Sequence, residues 1–222
     1  MNSWIKRVMP EKIPAFGAFF YSWLPARMFV PYYGMIAHEI ELKGDEALLD
    51  IGTGPGLLPL KIAERFPLSR IIGIDSSPQM IAIARRNKER RAGALHVEFR
   101  VIDANRLEFG DNSFDKIIST GSLHHWKNPV RILDEIYRCL KPGCEAWIYD
   151  GYGDAQDADI VRCTRRFFSH FPPIGMVKRI LGLHGYAQSA YDTVIKDMIG
   201  RTPFGTCLME QRGIMMRLRL RK

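Results

Sequence analysis

Cysteine is scarce in this 222-residue chain, and none of Cys139, Cys144, Cys163 and Cys207 stands in a C-x-x-C pair. That spacing offers neither a zinc site nor a disulfide framework, so reduced thiols, a cytoplasmic setting and no metal ligands are expected. Long apolar runs are missing as well. No stretch approaches the ~18 uninterrupted apolar residues of a membrane span, and the first residues, Met1 to Arg7, lack the apolar core of a secretory signal. No internal repeat or low-complexity tract is evident. Negative charge is in short supply: 24 acidic residues face 32 basic ones, a formal net charge of +8. Such a surplus favours approach to an anionic partner, whether nucleic acid, an acidic lipid surface or a phosphorylated or carboxylated small substrate, and does not choose among them. Hydrophobic content of 46% is enough for the core of one domain.

What is present is organised around Leu48-Leu49-Asp50-Ile51-Gly52-Thr53-Gly54-Pro55-Gly56-Leu57. An apolar run of strand length ends in an acid, and three glycines then alternate with Thr53 and Pro55. Leu57, Leu60, Ile62, Ala63 and Phe66 follow at helical spacing. Strand, glycine turn and helix form the ligand-cradling unit of a doubly wound sheet. Glycine reaches backbone angles other residues avoid, and without a Cβ it lets a ligand lie against the main chain. The dinucleotide fingerprint wants a glycine where Leu57 stands, which argues against a nicotinamide enzyme. Asp50, two residues before Gly52, suits a cationic or amine-bearing ligand better than a pyrophosphate.

Further strands end in acids. Arg70 to Asp75 is the second, and Asp75 lies where nucleoside-binding folds place the carboxylate that holds ribose hydroxyls. Ser77 caps the next helix with Pro78 in its first turn; Met80, Ile83 and Ala84 should face the sheet, and Arg85, Arg86, Lys88, Arg90 and Arg91 a solvated outer face. A third strand, His96 to Val101, leads to Asp103-Ala104. Phe114 to Thr120 reads as the fourth, followed by Gly121-Ser122-Leu123-His124-His125-Trp126. A helix from Pro129 to Leu140 stops at Lys141-Pro142-Gly143, and the fifth strand, Glu145 to Tyr149, ends at Asp150-Gly151-Tyr152.

Together, Leu-Asp-Ile-Gly-Thr-Gly-Pro-Gly, Gly-Ile-Asp-Ser-Ser, Asp103-Ala104, Phe114-Asp115, Leu-His-His-Trp and Leu-Lys-Pro-Gly resemble the class I S-adenosylmethionine-dependent methyltransferases over residues 45 to 150. The branch they look like is the small-molecule one that includes the ubiquinone- and menaquinone-type enzymes. One departure is Cys144, where that family usually has a second glycine. The resemblance implies an α/β, Rossmann-like doubly wound sheet of seven strands, order 3-2-1-4-5-7-6 with the last antiparallel. Phe204 to Arg212 and Ile214 to Arg221, joined at Gly213, read as its closing hairpin. It implies S-adenosylmethionine as cofactor and S-adenosylhomocysteine as product, held by Asp50, Gly52, Thr53, Gly54, Gly56, Asp75, Ser76, Met80, Asp103, Ala104, Thr120 and Tyr33, with Asp103 accepting from the adenine amino group.

Residues 1–43, rich in aromatics and divided by Pro10, Pro14, Pro25 and Pro31 into short helices, read as a helical cap over the ligand edge. Residues 44–222 then form the cofactor-binding domain. Residues 155–184 should be helical with a break at Phe171-Pro172-Pro173, and another helix opens near Tyr186 and runs to Gly200. A carbon or oxygen acceptor must lose a proton, which calls for a base. His124 and His125 are of the right type, with Asp150 and Tyr152 at the neighbouring strand end; adjacent residues cannot both face the site, so at most one histidine is chemical. The aromatic cap suggests a small hydrophobic or planar acceptor. The charge surplus keeps an RNA methyltransferase, a non-catalytic S-adenosylmethionine-binding protein and peripheral membrane contact in play.

Overall fold

The computed structural model describes residues 25–91, 96–167, 174–183 and 185–222. Residues 1–24, the segment around 171–173 and the expectations placed on them lie outside the described residues. The parallel strands are β1 (Ala47–Ile51), β2 (Arg70–Asp75), β3 (Val97–Val101), β4 (Phe114–Thr120) and β5 (Leu140–Tyr152). A two-residue strand, β6 (Gly185–Tyr186), and the hairpin β7 (Leu208–Arg212) and β8 (Met215–Arg221) complete the sheet. Its order is β3-β2-β1-β4-β5-β8-β7, with β6 paired to β5 off that path. β8 runs antiparallel to β5 and to β7. Apart from β6, this is the expected seven-stranded order.

Every central strand alternates its side chains between two apolar layers. Leu48, Ile71, Ile118 and Tyr149 join one core cluster; Leu49, Ile72, Ile117 and Ile148 join the other. The first face is covered by α1 (Pro25–Glu39), α2 (Leu57–Arg65), α3 (Pro78–Glu89), α5 (Asp157–Phe167) and α6 (Ile174–Leu183). The second is covered by α4 (Pro129–Cys139) and by α7, a helical run of Gln188–Ala190, a π-turn at Tyr191–Ile195 and Lys196–Gly200.

Four expectations are corrected. Pro31 does not divide the N-terminal region, because α1 runs through it as one 15-residue helix. An interior proline costs a helix about 3 kcal/mol, offset here by burial of Tyr32, Ile36, Ala37 and Ile40 in the first core cluster. Lys141-Pro142-Gly143 does not separate helix from strand: β5 already begins at Leu140. The register jumps from Phe114↔Leu140 to Lys116↔Glu145, and Gly143 N–H donates to the Lys222 carbonyl at 2.9 Å within the resulting bulge. On α3 the buried residues are Met80, Ile81 and Ala84, so Ile81 takes the place given to Ile83. Arg85 is not simply solvated, since its guanidinium donates to the Phe99 carbonyl at 2.9 Å.

Candidate active site

The ends of β1, β2, β4 and β5 meet at one edge, where open α/β sheets bind ligands. Behind β1, Gly52, Gly54 and Gly56 all have positive φ, at 71°, 52° and 74°, which favours glycine at each. Their surroundings differ. A Cβ at Gly56 would lie 2.5 Å from Phe99 and 2.8 Å from Ala84, and one at Gly52 would lie 2.7 Å from Ser122 Cβ. At those two positions the space a Cβ would take is filled by the protein's own side chains. Gly54 and Gly121, after β1 and β4, have nothing within 4 Å and positive φ. They are the open part of the cradle.

Asp75 fastens the loop. Its Oδ2 accepts the Gly54 N–H at 3.0 Å and its Oδ1 the Ser77 N–H at 2.9 Å. A carboxylate offers about four acceptor positions, so two remain for a ligand. Burial raises the Asp75 pKa while the two amides lower it. Asp50 is 2% exposed and accepts a hydrogen bond from Thr53 Oγ1 at 2.7 Å. Desolvation lifts its pKa to about 7, against the pull of the Thr53 hydroxyl and with a further push from Asp75. Thr53 is wedged against Gly73 of β2, where a Cβ would lie 2.7 Å from Oγ1. Gly73 is a site-supporting residue that sequence reasoning missed; its signal was a glycine interrupting an otherwise apolar strand.

Other expected cofactor residues are less uniformly placed. Met80 is buried and Ser76 exposed at the start of α3. Asp103 is exposed, and its Oδ1 accepts from the Asn105 backbone at 2.9 Å and side chain at 2.8 Å, beside half-buried Ala104. Thr120 Oγ1 is buried without a hydrogen-bond partner, an orphan hydroxyl at the cradle's rim. Tyr33 is half-buried against the first core cluster on α1. Its neighbour Tyr32 places its hydroxyl 3.2 Å from where a Cβ of Gly213 would be, so this part of α1 reaches the sheet edge where β8 begins.

The histidines separate cleanly. Both lie in a 3₁₀ turn, Leu123–His125, after β4. His124 Nδ1 is 2.9 Å from Asp150 Oδ1, and its backbone N–H donates to Asp150 Oδ2 at 2.9 Å. Asp150 is 1% exposed and also accepts the Gly151 N–H at 2.8 Å. A carboxylate on Nδ1 selects the tautomer that carries its proton there and makes Nε2 the basic nitrogen. His125 is exposed, its ring centre 4.0 Å from that of His124 and tilted 49° to it. Tyr152 is buried, its hydroxyl 3.7 Å from Met216 Sδ, and burial raises its pKa to about 12. Tyr186, which the sequence did not single out, is half-buried near Asp150, and burial followed by that acid's charge raises its pKa.

A serine clasp ties the two halves together. Ser119 Oγ donates to the Ile51 carbonyl at 2.8 Å and lies 2.5 Å from Ser122 Oγ. The glycine loop and the turn that carries His124 therefore share an anchor at the end of β1.

The family model of a methyltransferase domain matches residues 49–148. Demethylmenaquinone methyltransferase of Thermus thermophilus is 39% identical over 46% of this chain and 45% of its own length. Residues 49–148 are thus similar to a methyltransferase domain. Arsenite methyltransferase of Aquipseudomonas alcaligenes is 30% identical over 73% of this chain and 45% of its own length. Among solved structures, a candidate S-adenosyl-L-methionine-dependent methyltransferase of Methanococcus maripaludis superposes with a TM-score of 0.76 over 96% of this chain and 95% of that one, at 20% identity. That likeness is one of fold. The chain spans less than half the length of the curated relatives it matches. S-adenosylmethionine is the cofactor the domain implies, and the open cradle at Gly54 and Gly121, buried Asp50, half-buried Asp75 and the Thr120 hydroxyl fit a ligand with cationic and hydrogen-bonding groups.

Proposed function

We propose that this chain transfers a methyl group from S-adenosylmethionine to a small acceptor, with the His124–Asp150 pair drawing off the acceptor's proton. The observation that carries the reading is the 2.9 Å contact between His124 Nδ1 and Asp150 at the edge that also holds the glycine cradle. When bound, the cofactor supplies an electrophilic methyl carbon on a sulfonium. The chain's part is to hold donor and acceptor in line, which can lower the barrier by several kcal/mol, and to place a base whose tautomer is fixed. Gly54, Asp75, Met80, Asp103, Ala104, Thr120 and Tyr33 are read as the donor's contacts, and residues 1–43 as a cap over them.

Tyr186 beside the dyad favours a planar or hydrophobic acceptor of the kind named for the Thermus thermophilus relative. Arsenic in its trivalent state seeks thiols. Only Cys163 lies near the ligand edge, buried beneath Gly213; Cys139, Cys144 and Cys207 lie toward the opposite ends of β5 and β8. That distribution supports an acceptor not held by sulfur. Mass-spectrometric detection of methyl transfer to a reduced demethylmenaquinone analogue, with arsenite alongside, tests the choice. His124→Gln should lower kcat about a hundredfold, the ordinary worth of a general base, with S-adenosylhomocysteine affinity within threefold of wild type. Full activity in the variant removes the base assignment.

A further inference from the structure

Asp50 occupies an unusual setting for a carboxylate. It is 2% exposed, and among the described residues its hydrogen-bond donor is the Thr53 hydroxyl at 2.7 Å. Opposite it on β2 stands Gly73, which contributes no polar group, and on β4 Ile118. The next hydroxyl along β4, Ser119, is committed to the Ile51 carbonyl. Asp75 is the charged group that acts on it, and with the wrong sign.

The charged groups of the helices on its face are engaged elsewhere or point to solvent. Glu39 of α1 pairs with Arg217, and His38 is exposed. On α2, Arg65 donates to the Ile40 carbonyl, Glu64 pairs with Arg91, and Lys61 is half-exposed. On α3, Arg85 serves the Phe99 carbonyl. Among the described residues, no cation pairs with Asp50 or Asp75. Two anions in such a place repel each other, and one is favoured to hold a proton until a cation arrives.

We propose that Asp50 discriminates between the charged methyl donor and its neutral product by binding the donor as a carboxylate and releasing a proton as it does so. The proposal rests on the cofactor reading. S-adenosylmethionine brings a sulfonium and an ammonium against one carboxylate, a net charge of +1; S-adenosylhomocysteine has lost the sulfonium and is net neutral. The ionised acid attracts the first more strongly than the second. Loss of the sulfonium on methyl transfer then favours reprotonation of Asp50 and departure of the product. The structural pieces are Gly73, which makes room for Thr53, and Thr53, whose hydroxyl sets how readily Asp50 ionises.

The test is calorimetric titration of the intact chain with S-adenosylmethionine and, separately, S-adenosylhomocysteine. It is run from pH 6 to 8 in buffers of low and high ionisation enthalpy. The donor should bind about tenfold more tightly at pH 8 than at pH 6, with proton release of about half a proton per site at pH 7 that approaches about one at pH 6 and fades by pH 8; the product should gain less. Asp50→Asn should abolish the release. Thr53→Val, which keeps the shape and the carboxylate, should move the release to higher pH and serves if the asparagine variant fails to fold. His124→Gln should retain it, separating Asp50 from the histidine, whose own deprotonation would have the same sign. Donor binding without proton release, equal gains for donor and product, or unchanged release in Thr53→Val overturns the proposal. Failure of both ligands to bind at any pH overturns the cofactor reading with it.

Discussion

Three glycines that look equivalent in the chain have different duties. Gly52 and Gly56 give way to Ser122, Phe99 and Ala84, whereas Gly54 faces open space. All three have positive φ, so alanine at any of them meets about 1–2 kcal/mol of left-handed strain. Gly56→Ala adds overlap with Phe99 and Ala84, worth about 1–3 kcal/mol more. Thermal melts should therefore show Gly56→Ala well below Gly54→Ala. Calorimetry should show Gly54→Ala, the milder variant for folding, weakening S-adenosylhomocysteine at least tenfold. Equal melting losses would contradict this division. The acids follow the same pattern. The spacing of Asp50, Asp75 and Asp103 was legible in the sequence, but not that Asp75 spends two acceptor positions on Gly54 and Ser77, or that buried Asp50 takes its hydrogen bond from Thr53. Those depend on which strand lies beside which.

At the scale of elements, the strands were readable because central strands buried on both faces are continuous apolar runs, and their order came with the glycine turn and closing hairpin that carry the family likeness. β6 was not readable. Two residues have no periodicity, and what makes the strand is a close approach of backbones. A Cβ on Gly185 would overlap the Gly151 carbonyl, and one on Gly153 would lie 2.7 Å from the Gly185 carbonyl. The pairs Gly151↔Gly185 and Tyr152↔Tyr186, with Gly153 N–H donating to Tyr186 at 2.8 Å, bring Tyr186 to the dyad. The π-turn at Tyr191–Ile195 was invisible too, although it lets the buried Tyr191 hydroxyl donate to the Gly151 carbonyl at 3.1 Å. Gly185→Ala should part β6 from β5 and displace Tyr186. The measurable consequence is a loss of methyl transfer to the reduced demethylmenaquinone analogue of tenfold or more, with S-adenosylhomocysteine affinity held within about twofold. A parallel loss of cofactor affinity would show that β6 serves the whole edge, not the acceptor side.

Across the whole molecule, one cluster of cations has a structural role. Lys116 Nζ, Arg217 Cζ and Arg219 Cζ lie 4.2, 4.6 and 5.6 Å from the centre of the Trp147 ring, threaded by Glu39, Glu145 and Glu210. These cations are committed to packing and ion pairs on one sheet face. Arg217 is the centre of the group. It is 4% exposed, and it donates to Glu39 Oε2 at 2.6 Å, to Glu210 Oε2 at 3.0 Å and to the Tyr149 hydroxyl at 3.3 Å. The first of these bonds joins the end of α1 to β8, 178 residues along the chain, and so fixes the helix whose other half carries Tyr32 and Tyr33 to the ligand edge. Removing one member of such a buried group strands its partners and costs about 3–5 kcal/mol. Arg217→Met, which keeps the length of the side chain and loses its charge, should lower folding stability by that amount in denaturant titration. Hydrogen exchange should report the loss unevenly, with amides of 32–40 losing protection before those of β1 and β2. Uniform loss along the chain would mean that the arginine stabilises the sheet in general and does not hold α1 in place.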